Sequence, residues 1–466
     1  MVTRLVIVNV TLPEGIRDVA ITDGVITEIA EELHPAGSDV VDGRGGALIP
    51  GLHDHHLHLH ALAAATSSVR CGPPQVTSAA ELATALAAAP TAGDAGWVRG
   101  FGYVETVAGM LDRTSLDRLH DRRPVRLQHR SGAVWFFNSA AAAIVNLSSG
   151  DHPGIERDAL GAPTGRVWRA DTWLRERIGG AGPPGLAAVG AELAQFGITG
   201  VTDATPDLPD DSLAHLLAEH ANGALPQGLH LLGVEPEVTG SAPTVTVGPC
   251  KIVLADSDLP DFPTLCRQIR KIREHRRGVA VHCVTRESLL LLLAALDEVG
   301  AHPDDRIEHG AIVAEETALE LSRRAIPVVT QPGFIADRGD DYLDRLDAHD
   351  VHDLYRCRTL MESGVAVALS SDAPYGPTDP WSVIAAAATR VAPDGRIVGA
   401  AERIDRRAAL RMYLAPLSHP QSPPRTVAVG RPADLVVLAG SLDRALTIGS
   451  DAVRCTIIRG RVIYHG

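Results

Sequence analysis

Over the first 50 or so residues, apolar and polar positions alternate in short runs, Leu5-Val6-Ile7-Val8 and then Val19-Ala20-Ile21, followed by Asp23-Gly24 and Val25-Ile26. Period-two runs broken by an Asp-Gly pair predict strands joined by a tight hairpin. The last 40 or so residues carry the same signal in Ala433 to Leu438 and Val453 to Ile463, the latter with a turn at Arg459-Gly460-Arg461. Both ends therefore predict all-β material, residues 1–49 and 415–466, forming one small β-sandwich. Between them the pattern changes to apolar β-rich runs, each followed by a longer Ala/Leu-rich helical stretch, the alternation of a parallel sheet covered by helices.

The runs fall at 46–58, 198–205, 228–236, 247–254, 279–284, 306–310, 326–331 and 365–371, eight in all. Eight strand-helix units close a (β/α)8 TIM barrel, which predicts an α/β fold over residues 50–414 with chemistry at the carboxyl ends of the strands. The first gap is far longer than the others and predicts an inserted subdomain at about 61–196. Inside it the pattern predicts a helix over 78–89, strands over 97–103 and 124–129, and a helix opening near Asn138, a good capping residue.

Composition narrows the function classes. With 466 residues, 45% of them hydrophobic, and a net charge of −14, the chain has an ordinary globular composition and lacks the clustered basic residues of nucleic-acid binders. The one dense basic run, Arg267 to Arg277, reads as a solvated helix face. No segment approaches the roughly 20 apolar residues of a membrane helix, and the start of the chain lacks a secretory cleavage pattern, so a cytoplasmic protein acting on a small molecule is expected. The six cysteines form no CxxC pair, which suits reduced, buried thiols.

The candidate chemistry lies where the runs end. The first closes on His53-Asp54-His55-His56-Leu57-His58-Leu59-His60, five imidazoles in eight residues. Strand alternation would turn Asp54, His56, His58 and His60 one way and His53 and His55 the other, and imidazoles two apart can grip one metal ion. The cluster alone does not say which are ligands. His282 and His309 each end a run, and Asp372 ends the last, offering a carboxylate ligand that can also accept a proton.

Only two of the 43 basic residues are lysines, Lys251 and Lys271. Lys251 lies in an apolar strand, where burial frees a neutral amine. Such an amine adds carbon dioxide to give a carbamate whose two oxygens can bridge two metals, and arginine cannot do this. A lysine snorkelling from the strand end, or paired with Asp256, is the alternative.

These residues resemble the amidohydrolase superfamily of metal-dependent hydrolases. The segment Pro50 to His58 is similar to its first-strand motif, with His56 and His58 as paired ligands; Lys251, His282, His309 and Asp372 match the remaining ligand positions, and Gly430-Arg431-Pro432-Ala433-Asp434-Leu435-Val436-Val437 resembles its C-terminal β-domain motif. The insert's His129-Arg130-Ser131-Gly132 and Asn138-Ser139-Ala140-Ala141, with Arg306-Ile307-Glu308-His309, resemble the family 3 branch that includes N-substituted formamide deformylases.

The resemblance implies two divalent metal ions, zinc by ligand type, bridged by carboxylated Lys251 and a hydroxide. It implies hydrolysis of a C–N bond in an amide, formamide or cyclic amide, with Asp372 moving the proton, and a homodimer. Arg130, Tyr103 and Gln331 are candidate substrate-binding residues, with Glu105 and Arg338 beside them. The alternative is a mononuclear deaminase of an amino-heterocycle using His56, His58, His282 and Asp372, with His309 activating water. It has less support, because His282 is followed by Cys283-Val284-Thr285-Arg286 and not by an early Glu.

Overall fold

The computed structural model describes residues 4–35, 37–90, 96–178, 182–238, 241–256 and 259–466. Parallel strands form at Leu52–Leu57, Ile198–Asp203, Gly228–Leu231, Cys250–Val253, Val279–Cys283, Arg306–His309, Val328–Thr330 and Val367–Leu369, one in each predicted run. The first three share a sheet with the hairpin Ser241–Ala242/Val245–Val247, and the last five form a second sheet. Backbone hydrogen bonds join the two into a closed barrel. On one side Gly248 N–H donates to Leu231 O (2.9 Å) and Lys251 N–H to Leu232 O (3.0 Å); on the other Asp372 N–H donates to His56 O (2.8 Å) and His58 N–H to Ala373 O (2.9 Å). Closure by the last strand thus carries Asp372 to the end of the first.

The covering helices follow from apolar spacing and caps. In Phe262–Glu274 the Asp261 side chain accepts from Thr264 N–H, and Leu265, Ile269 and Ile272 share the buried face at i, i+4 and i+7. Burying each such side chain contributes about 1.5 to 3 kcal/mol. The basic run is only partly the solvated face its charge suggested. Arg273 binds the buried Asp305 carboxylate at 2.6 Å, and Arg277 is itself buried, donating to the Val234, Glu235 and Gly248 carbonyls.

The terminal segments build two four-stranded sheets. One holds Arg4–Leu12, Gly15–Thr22, Val25–Ala30 and Asp39–Asp42; the other holds Leu48–Pro50, Leu435–Leu438, Val453–Ile458 and Arg461–His465. Ile7, Val19 and Ile21 of the first pack with Leu435, Val437 and Ile457 of the second in one apolar layer. Both predicted hairpin tips are left-handed, Asp23-Gly24 at φ 49° and 80° and Arg459-Gly460 at φ 49° and 74°. The tips meet, so a Cβ on Gly460 would stand 2.9 Å from Ile21 Cγ2 and 3.2 Å from Gly24 Cα, which only glycine avoids.

By contacts the chain divides into two compact units, Met1–Leu59 with Leu186–Gly466, and His60–Gly185. The second unit is built on a six-stranded sheet in the order Ile155–Arg157, Pro163–Trp168, Val134–Phe137, Val125–His129, Val98–Tyr103, Val69–Arg70. Its helix Ala79–Ala88 is capped by Ser78, and Asn138 caps Ser139–Ile144 while donating to the His120 and Arg123 carbonyls. Among the described residues, no helix is long and apolar enough to cross a membrane, and all six cysteines are free and buried.

Candidate metal centre

The first strand does not keep strict alternation to its end. Val201 pairs with Asp54 but Asp203 pairs with Leu57, so one extra residue is fitted between Asp54 and Leu57. The bulge separates the roles of the cluster. Asp54, expected on the face of His56 and His58, is fully buried, and its Oδ1 accepts from His56 N–H (3.1 Å) and Ser371 N–H (3.2 Å), bracing the first strand against the last. Burial raises its pKa to about 7. His53 is buried with Nδ1 3.0 Å from Ala415 O and its ring edge-on to His55 at 6.2 Å.

His56, His58 and Asp372 each offer one ligand atom, and these atoms lie within 4.8 Å of one another. Asp372 Oδ1 stands 3.1 Å from His58 Nε2 and 3.6 Å from His56 Nε2. Two imidazole nitrogens and a carboxylate oxygen converging at this spacing fit a divalent ion of the zinc type. The remaining predicted ligands are close by. Lys251 Nζ lies 3.5 Å from His56 Nε2, the His309 ring centroid is 4.8 Å from that of His56, and the His282 ring is 4.4 Å from that of His309. All six residues named from the sequence therefore meet at one end of the barrel.

Lys251 is buried and turned toward His56, whereas Asp256, its alternative partner, accepts from Thr285 Oγ1 at 2.6 Å. Burial lowers the Lys251 pKa against the opposing pull of Glu308 and Asp372, which favours the neutral amine. Burial likewise pushes His56 and His309 well below the ordinary imidazole value, assisted by Lys251 at His56 and by His282 at His309. Neutral imidazole is the form that ligates metal.

Three of the imidazoles are held through Nδ1, each by a different group. Glu308 Oε2 makes a short contact with His56 Nδ1, Thr205 Oγ1 lies 3.3 Å from His58 Nδ1, and Gln331 Oε1 lies 2.9 Å from His309 Nδ1. Occupying Nδ1 leaves Nε2 as the donor atom, the arrangement that orients metal-binding histidines. Glu308 is fully buried and takes Arg306 Nε on its other oxygen at 2.5 Å. Burial alone would raise its carboxyl, but Arg306 and Lys251 outweigh it and hold the group below its usual value.

Two of these residues also carry unusual backbone. His309 and Asp372 sit at φ 72° and 54°, left-handed angles that cost a non-glycine residue on the order of 1 kcal/mol or more and cluster at functional positions. The strain falls on one residue of each of two strand ends that meet at the site.

The three expected substrate contacts fall in different places. Gln331 is fully buried, its Oε1 2.9 Å from His309 Nδ1 and its Nε2 donating to Ser370 Oγ at 2.9 Å, so it braces the His309 ring. Tyr103 is also fully buried, its ring edge-on to Phe136 and its hydroxyl donated to Gly109 O, a core position of the His60–Gly185 unit. Arg130 lies in the turn after Val125–His129 of that unit, where its N–H donates to Tyr103 O (2.8 Å), and Glu105 pairs with His129 at 3.3 Å. Arg338 stands by the barrel site: its guanidinium lies over Phe334, pairs with Asp337 at 3.0 Å and donates to Tyr375 O, and the Tyr375 ring meets His58 edge-on at 5.4 Å.

A model of the Amidohydrolase family matches residues 39–464. The chain is similar to YtcJ of Bacillus subtilis (strain 168), with 27% identity over 525 residues covering 97% of each chain. It is similar also to an N-substituted formamide deformylase of Arthrobacter pascens, with 25% identity over 485 residues covering 89% of this chain and 87% of that one. In fold it resembles an uncharacterized metal-dependent hydrolase from Pyrococcus horikoshii OT3, with a TM-score of 0.72 and 20% identity over 93% of this chain and 96% of that one.

Proposed function

The chain belongs to the Amidohydrolase family, and from that premise we propose that this metal-dependent hydrolase cleaves the C–N bond of an amide, formamide or cyclic amide. The observation that carries the reading is the convergence of His56, His58 and Asp372 within 4.8 Å, with the buried amine of Lys251 at 3.5 Å from His56. In this reading His56, His58 and Asp372 would hold one divalent ion and His282 and His309 a second, with carboxylated Lys251 as a ligand they would share. Zinc suits the imidazole and carboxylate donors. When bound, such ions supply Lewis acidity, which lowers the pKa of water and polarises a carbonyl.

The proton steps fall to Asp372. Its carboxylate takes a proton from the attacking water as the new C–O bond forms and returns it to the nitrogen as the C–N bond breaks, so that carboxylic acid and amine leave. Thr205, Glu308 and Gln331 keep the imidazole Nε2 atoms in place meanwhile. Similarity to a formamide deformylase makes N-substituted formamides the first compounds to try.

The test is a product-resolved screen of metal-replete protein against N-substituted formamides, linear amides, cyclic amides and amino-heterocycles. Release of amine with formate or carboxylate, or ring opening, is expected. The compact three-residue donor set would equally serve a single ion, so a mononuclear deaminase is the second reading. Ammonia from amino-heterocycles, with no amide cleaved, would select it.

A further inference from the structure

Each of the three held imidazoles has a different outer partner, and only one of those partners is a carboxylate. The carboxylate of Glu308 is enclosed with no solvent contact between two donors, Arg306 Nε at 2.5 Å on one oxygen and His56 Nδ1 on the other. Arg306 is in turn anchored by Nη2 donating to His55 O at 3.0 Å, one residue before His56. His58 and His309 have the neutral partners Thr205 and Gln331.

The geometry points to Glu308 as a positioning residue that fixes His56 in its Nδ1–H form and sets how tightly the His56, His58 and Asp372 site holds its ion. This rests on the metal-dependent reading above. A carboxylate has only acceptors, so a hydrogen bond to it requires the proton on Nδ1 and frees Nε2. Arg306 fixes which oxygen is left for His56. An anion behind the ring also makes the imidazole a stronger donor than a hydroxyl or amide partner does, which ranks His56 above His58 and His309.

Glu308→Gln tests this with nearly unchanged volume. The amide has one acceptor and one donor, and Arg306 Nε claims the acceptor. The NH₂ then turns to His56 Nδ1, which must accept, and the ring proton moves to Nε2, the atom that should face the metal. The expected results are an Nδ1–H His56 in metal-free wild type and an Nε2–H His56 in the variant, read from ¹⁵N-histidine spectra. Zn²⁺ affinity, measured by competition with a chromophoric chelator, should fall about 10- to 100-fold, and fall less in Thr205→Val.

A variant that folds, keeps the Nδ1–H form and binds Zn²⁺ within twofold of wild type would overturn the assignment. If Glu308→Gln does not fold, the wild-type spectrum decides alone, since an Nε2–H His56 there is incompatible with the proposal. Failure of wild type to take up any divalent ion would instead strike at the proposed function, because the tautomer is read without metal.

Discussion

Replacing Asp372 by Asn separates proton transfer from architecture. Asn has nearly the same shape and tolerates left-handed backbone better than most residues, so the φ of 54° at this position adds no new strain. Its Oδ1 can still stand where the aspartate oxygen lies 3.1 Å from His58 Nε2 and 3.6 Å from His56 Nε2. What it loses is the negative charge and the ability to carry a proton. A positioned general acid or base contributes about 10²- to 10⁴-fold, and in the proposed mechanism one group serves both the attack and the departure of the amine. The fall in kcat should therefore be at least about 10³-fold, or about 4 kcal/mol at 1.36 kcal/mol per tenfold. The assay pairs kcat, on the best amide from the product screen, with metal content of the same preparation. With Glu308 and Thr205 still behind their imidazoles, most of the metal should stay. A variant with full metal and kcat within tenfold of wild type would refute Asp372 as the proton carrier.

Arg390 is fully buried and donates to Val398 O (2.6 Å), Tyr355 O (2.7 Å) and Leu354 O (2.7 Å); Arg390→Met leaves the Val398 and Leu354 carbonyls without that donor, while Tyr355 O keeps Cys357 N–H at 2.9 Å. We expect a loss of about 2 kcal/mol or more in denaturant unfolding; a loss under about 1 kcal/mol would mean that the two carbonyls find other donors. Burial also depresses His230 to a pKa of about 3, while its Nδ1 lies 2.7 Å from Thr246 Oγ1. The folded value is below the unfolded one of about 6.5, so this residue's contribution is complete above pH 6.5 and is lost as pH falls toward 3. Unfolding free energy measured between pH 6 and 4 should drop less steeply in His230→Gln than in wild type, by about 1 kcal/mol per pH unit; equal slopes would contradict the depressed pKa.

Much of the fold was legible in the sequence because it depends on short-range pattern, whereas the choice of His56 and His58 within the His cluster came from the family resemblance. The apolar runs gave the strands, and strand ends gave His282, His309 and Asp372. Lys251 stood out because lysine is almost absent from the chain. The outer partners were not legible, since Glu308 reaches His56 across 252 residues of sequence and only barrel closure brings them together. A signal was present in Arg306-Ile307-Glu308, two charges on one face of a strand with no solvent to receive them. Asp54 was misplaced because a bulge, invisible in a period-two pattern, shifts the side chains of its strand. Gln331 and Tyr103 ended their runs with polar atoms, which fit a pocket as well as a core until their hydrogen bonds are known.

The proposed metal centre is built around Lys251 with His56, His58 and Asp372. Metal content by plasma mass spectrometry, on protein purified without chelators, should give two divalent ions per chain in wild type and one or none in Lys251→Ala. One ion per chain, unchanged by the substitution, would make Lys251 a structural residue and contradict the bridged centre.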